Sequence, residues 1–238
     1  MNLRQLHPWN VDESTAVMIQ EWLRARIVTS TPKGEVMRIA GCDVNCDQGS
    51  PFIHGAVCTY TWPDLSPTET KVATMEAPQE YDSGLLAFRV VPVILECLAQ
   101  LPTDPDIIIM AANGMCHPRR FGSASHLGVI TNTMTIGVAP PPLCGRVIND
   151  EVHMDPINIE WPDVSTIISD LGLDISPTSR VYESLVARKV GELYVSIGNL
   201  ISLDDAVATI KYIIRKNSTF LTAAHDAANK VEYNVADV

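Results

Sequence analysis

Residues 106–129 read DIIIMAANGMCHPRRFGSASHLGV. Asp106-Ile107-Ile108-Ile109-Met110 is a continuous apolar run, as in a strand covered on both faces. A glycine-containing turn follows, then His-Pro-Arg-Arg, then SASHLGVIT, whose small residues suit a short helix. Strand, loop and helix in this order predict a layered α/β chain. Such chains keep their chemistry just past the carboxyl end of a strand. Yet residues 111–129 hold no acid.

Working outward, periodicity predicts the remaining elements. Asp12 caps a helix through AVMIQEWLRARIV. VMRIAGCDV is a buried strand ending near Asp43, and HGAVCTYTW is a second strand. WPDLSPT connects it to TETKVATMEA, whose alternation marks a half-exposed third strand. SGLLAFRVVPVILECLAQL has helical length, with Pro92 near its first turns or at a kink. TMTIGVA is a fifth strand, stopped by Pro140-Pro141-Pro142. Residues 145–192 read as irregular structure with short strands, and GELYVSIG as a last strand. Ser202 caps a helix through DDAVATIKYIIRK, with Asp205 imitating a capping box. The final segment, TAAHDAANKVEYNVADV, reads as a helix with a frayed tail. Three hairpin-linked strands followed by helix–strand–helix–strand is a ribonuclease-H-like order: a mixed sheet with helices on both faces, forming one domain over 1–238. That topology sets Asp43 beside the loop after the fourth strand.

Composition narrows the partners. The 28 acids against 17 bases give a formal charge of −11, which opposes the basic face that phosphate-backbone binding needs. No stretch approaches the ~18 consecutive apolar residues of a membrane span, and MNLRQLHPWN lacks a signal-peptide core. A cytoplasmic location is therefore expected. The six cysteines include no C-x-x-C pair, so buried or loop thiols are expected rather than disulfides or zinc ligands. Oligomeric state is not legible.

Five motifs occur together: IAGCDVN, YDSGLLAFR, NGMCHPRRFGSASHLGV, TIGVA..PLCG and LYVSIGNLISLDDA. In order and spacing they resemble endonuclease V, over roughly residues 9–229. That family resembles ribonuclease H in fold and uses magnesium to cut DNA or RNA one nucleotide beyond inosine. The resemblance makes Asp43 the acid of the first strand. The family's second acid, third acid, lysine and histidine fall at Val90, Ala111, Pro140 and Asn199. Four of five catalytic positions are changed, and the sequence neighbours of Val90 and Ala111 include no acid. Metal-assisted phosphodiester displacement needs carboxylates around its ions. No metal ligand set is therefore assigned, and magnesium is expected only if the Asp43 site is still metal-competent.

The resemblance also implies a base pocket. Gly84, Leu86, Gly114, His117 and Leu143 match positions lining it, and Tyr81 remains from a strand-separating turn. Asn113 and Asn199 add polar groups to the cleft around Asp43. Asp82 brings negative charge where a DNA strand would pass, Thr222 replaces an arginine, and His225 matches. Each residue also has a plainer role. Asp43 can hydrogen-bond a loop, Arg119 and Arg120 can pair with surface acids, and Cys116 can be an inert loop thiol. Ser125-His126 can pack and cap its helix, and Tyr81 can be a half-buried loop residue.

Three functions follow as expectations. The first is an endonuclease-V-like protein unable to cleave inosine-containing nucleic acid, keeping a polar cleft for a nucleoside-like ligand or a partner. The second is a metal-dependent hydrolase with an irregular site borrowing Asp47, Asp82 or Asn113. The third is an enzyme of different chemistry acting on a small polar metabolite, with Asp43 as acid or base.

Overall fold

The structure, a computed structural model, describes residues 6–45, 51–78, 80, 82–159 and 180–235. Helix α1 (Glu13–Arg24) opens at Asp12, whose Oδ1 accepts from Thr15 N at 2.8 Å. It ends at Ala25, earlier than the apolar pattern suggests. Strands β1 (Arg38–Asn45), β2 (Phe52–Thr61) and β3 (Pro67–Glu76) follow. β3 alternates exposed and half-buried positions along its length, as its sequence predicts. Helix α2 (Leu86–Ala99) places Pro92 at its seventh residue, where the ring removes the N–H that would reach the Phe88 carbonyl. The DIIIMAA run becomes β4 (Ile107–Met110), buried at all four positions. Helix α3 spans Ser123–Thr131, the expected segment, and β5 spans Met134–Ala139.

The irregular segment contains short strands β6 (Arg146–Ile148), β7 (Glu151–His153), β8 (Ile157–Ile159) and β9 (Arg180–Tyr182), then a longer β10 (Leu185–Val190). β11 (Leu193–Asn199) leads to α4 (Leu203–Lys216) and α5 (Phe220–Val235). Ser202 caps α4, its Oγ accepting from Asp205 N at 3.1 Å. The expected capping box is only half formed. Asp205 Oδ2 accepts from the Ser202 hydroxyl at 2.7 Å, while Ser202 N donates to Thr31 Oγ1.

Nine strands form one sheet in the order β3-β2-β1-β4-β5-β11-β10-β7-β6. β1, β4 and β5 are mutually parallel neighbours, and the remaining pairs are antiparallel. The first five strands have the expected ribonuclease-H-like arrangement. Strand alternation divides the core. Ile39 packs toward α4 and α5, with Ile210, Phe220 and Ala224. Ala40 and Cys42 pack toward α2, with Val90, Ile94 and Leu127. α1 adds a third cluster with Phe88, Phe121 and Ile130. His126 is buried there beside His7, Trp9, Phe88 and Phe121, a packing role rather than a surface one. No helix among the described residues is long and apolar enough to cross a membrane.

Candidate functional site

The parallel register brings the ends of β1 and β4 together. Cys42 pairs with Met110, and Ala111 N donates to Cys42 O at 3.0 Å. Asp43 therefore lies alongside Ala111, as the topology predicts. Its Oδ1 accepts from Val44 N at 2.7 Å, and its Oδ2 lies 3.1 Å from His225 Nδ1 on α5. Burial pushes the Asp43 carboxyl above its ordinary range, while the Val44 N–H and then His225 hold it down. His225 Nε2 is 3.0 Å from the Asn229 side-chain amide, one helical turn on. His225 is recognisable in sequence as a matching position but not as a partner of Asp43. Its signal is the His–Asn spacing of four on a helical segment.

A cleft of about 230 Å³ opens past the ends of β4 and β5. Leu86, Ala111, Asn113, His117, Pro140 and Leu143 are among its walls. Four expected ligand-binding positions, Leu86, Asn113, His117 and Leu143, therefore converge. Tyr81, Cys46 and Asp47 lie outside the described residues.

His117 is buried and held at both ring nitrogens. Nε2 is 3.0 Å from Gly84 O, and Nδ1 accepts from Arg119 N at 3.2 Å. These partners fix the neutral tautomer with the proton on Nε2. Burial first, then the Arg119 charge, pull its pKa down to about 4. Arg119 is turned inward onto uncharged partners. Its Nη2 donates to Gly84 O at 2.6 Å and its Nε to Gln20 Oε1. Gln20 Nε2 also reaches Gly84 O at 3.1 Å. One carbonyl thus gathers three donors, from α1 and from the loop after β4. Arg120 is fully buried rather than at the surface, and its guanidinium donates to Asp155 O at 2.8 Å.

The packing places the other expected residues as follows. Gly114 does not line the cleft. Its N–H donates to Ser196 Oγ, and an added Cβ would stand 2.0 Å from Ile197 O on β11. Gly84 borders the site through its carbonyl, and a Cβ there would meet Arg119 Nη2 at 3.0 Å. Asn199 is not a cleft residue. It is buried, its Oδ1 accepts from Val28 N at 2.9 Å, and its Nδ2 donates to Gly128 O at 2.9 Å. A register shift between Ile197 and Asn199 accompanies this diversion toward α3. Asp82 closes the turn that leads into α2, its Oδ1 accepting from Gly84 N and Leu85 N. The amino terminus of α3 is closed by loop carbonyls: Gly122 N donates to Gly114 O and Ala124 N to Asn113 O. It is not an open anion site.

Of the positions that the resemblance marks as catalytic, Val90 is buried in the α2-side core, and Ala111 and Pro140 are cleft walls. Among the described residues, no three His, Cys, Asp or Glu side chains are grouped to share a metal ion. The site offers an Asp–His pair, a fixed neutral imidazole, and amide and backbone hydrogen-bonding groups.

The architecture and sequence have known counterparts. The endonuclease V from Trichormus variabilis is 40% identical over 147 residues, 61% of this chain and 66% of that protein. The chain thus spans slightly under two thirds of that relative in the matched stretch. The endonuclease V from Desulfurococcus amylolyticus is 32% identical over 225 residues, 92% of this chain and 93% of its own. The crystal structure of Streptomyces avermitilis endonuclease V superposes with a TM-score of 0.74 at 27% identity, covering 96% of each chain. Ciona intestinalis endonuclease V, solved with a 24mer DNA containing an inosine followed by a ribo-adenosine, has a TM-score of 0.66 at 25% identity. That match covers 92% of this chain and all of the Ciona chain. The family model for endonuclease V matches residues 21–222, and with relatives aligned along nearly the whole sequence this chain belongs to the endonuclease V family.

Proposed function

We propose that this protein uses the endonuclease V scaffold to bind a nucleobase or nucleoside-like ligand and does not cleave inosine-containing nucleic acid by the magnesium route. One observation carries the reading: among the described residues at the ends of β1, β4 and β5, the only carboxylate is Asp43, and it faces His225 rather than a second acid. Ala111, alongside it, and Pro140, a further cleft wall past β5, offer no side-chain ligand for a hard cation. The described residues therefore do not fit magnesium, and no step is derived through it. A cleft of about 230 Å³ is smaller than the ~300–1,000 Å³ pockets that enclose drug-sized ligands. It suits a single flat ring better than a nucleotide. Apolar walls at Leu86, Ala87 and Leu143 with side-chain amides at Gln20 and Asn113 fit a ring with a hydrogen-bonding edge. The formal charge of −11 weighs against tight retention of a polyanion.

The Asp43–His225–Asn229 chain favours a second reading, an acid–base enzyme on a small polar metabolite. In it, His225 moves a proton and Asp43 orients the ring.

The test has two arms. Inosine-containing DNA and RNA are incubated with the protein and Mg²⁺ or Mn²⁺, and no cleavage is expected. Cleavage that disappears in Asp43→Ala would overturn the proposal. Thermal shift with nucleobases and nucleosides is expected to give a hit that Ala111→Trp, which fills the cleft, abolishes. A substrate turned over by the parent and not by His225→Ala would select the second reading.

A further inference from the structure

Beside the cleft, the loop after β4 meets the β5–β6 connection through sulfur. Cys116 is fully buried in a small cluster with Val152, Val186 and Ala187, and Met154 packs against that cluster. Cys116 Sγ donates to the Cys144 carbonyl at 3.5 Å, which brings the two cysteines together. Cys144 Sγ is also 3.4 Å from Met154 Sδ. Two thiols and a thioether from three separate segments are therefore gathered in one place. The base-pocket resemblance does not account for them, and the acid–base chemistry above does not use them.

The surrounding charge is as informative as the sulfur. Arg120 is fully buried, and its guanidinium donates at 2.8 Å to the carbonyl of Asp155, the residue after Met154, so a fixed positive charge sits by the sulfur-bearing segment. Two bare thiolates here would leave the buried group one positive charge short even with Arg120. Uncompensated buried charge is costly. A monovalent cation would bring the total to zero. The thioether selects among cations: it is a soft ligand, poorly suited to zinc or magnesium and well suited to copper(I). It would contribute nothing to a disulfide between the thiols.

We propose that Cys116, Cys144 and Met154 form a binding site for a soft monovalent cation of the copper(I) class, balanced by Arg120. Binding replaces the thiol protons with the metal and releases them to solvent, without a redox step. Cys116 precedes His117 and Cys144 follows Leu143, so a bound ion would tie together two segments that line the cleft. The site does not overlap the cleft, and its test is independent of what the cleft holds.

The full chain, reduced and kept anaerobic, is titrated with copper(I) in competition with a chromophoric chelator. X-ray absorption then reads the coordination sphere. One equivalent bound by three sulfurs is expected. Met154→Leu should weaken binding about tenfold or more, and Cys144→Ser should abolish it. Both positions are only partly buried, so the fold should tolerate these changes. Cys46→Ser should leave binding unchanged. The proposal is overturned if Met154→Leu or Cys144→Ser binds like the parent, if only two sulfurs surround the ion, or if copper merely oxidises the thiols and is not retained.

Discussion

Acidification should loosen this fold through His117, and the amount can be worked from its surroundings. Its ring is buried, donates to the Gly84 carbonyl and accepts from the Arg119 N–H, so the folded state holds it neutral. Its folded pKa is about 4, against about 6.5 for an exposed histidine. Above pH 6.5 neither state binds the proton, and the full stability is present. Between 6.5 and 4 the unfolded chain binds it and the folded chain does not. Stability therefore falls as pH falls, by roughly 1.4 kcal/mol per pH unit and roughly 3 kcal/mol over the window. His7 and His126, both lowered chiefly by burial, add to the loss with the same sign. Asp43 acts oppositely: its raised pKa makes the folded state the better proton acceptor, which favours folding as pH drops. Comparison with His117→Gln isolates the one residue, because glutamine can still donate to Gly84 O but does not titrate. Urea unfolding at pH 7.5 and pH 5 should give the variant a stability loss about 2 kcal/mol smaller than the parent's. Equal losses in the two proteins would refute the assignment of a neutral, buried His117.

Gly114→Ala places a Cβ 2.0 Å from Ile197 O, so a thermal-unfolding midpoint well below the parent's is expected, with a cost of about 2 kcal/mol or more. Asn199→Ala orphans the Val28 N–H, while Gly128 C=O keeps its donors from Asn132 and Thr133; denaturant unfolding should register a loss of about 1–3 kcal/mol with cleft binding unaltered. His225→Ala removes a group that lowers the Asp43 pKa, so the carboxyl should titrate at higher pH by carbon NMR. Ala111→Asp adds a second carboxylate beside Asp43, and manganese binding absent from the parent should appear in electron paramagnetic resonance.

Local signals were enough for the elements that dominate the fold. The uninterrupted apolar run of β4, the Asp12 and Ser202 caps, and the alternation of β3 each read directly from spacing. What stayed hidden depends on partners far along the chain. Asn199 is recruited by Val28 and Gly128, Arg119 by Gln20 and Gly84, and Asp43 by His225, 182 positions away. No window of sequence contains both ends of such a contact. Of the four strands that extend the sheet beyond β5, β11 reads directly from GELYVSIG, whereas β10, β7 and β6 were obscure, since β6 and β7 are three residues long and take their pairing from β10 and from each other. The cleft sits between these two regimes. Its walls at Leu86, Asn113, His117 and Leu143 follow from motif position, whereas the inward turn of both arginines does not.

The Gly84 carbonyl, with donors from Gln20, His117 and Arg119, has a kinetic consequence. It anchors the start of α2 to α1 and to the loop after β4, so one wall of the cleft is rigid before any ligand arrives. A ligand entering such a cleft has little ordering entropy to overcome on that side. Related ligands should then associate at similar rates and differ chiefly in how long they stay. Loosening the anchor from outside the cleft, as Arg119→Met would, should slow association across the whole series without reordering the residence times.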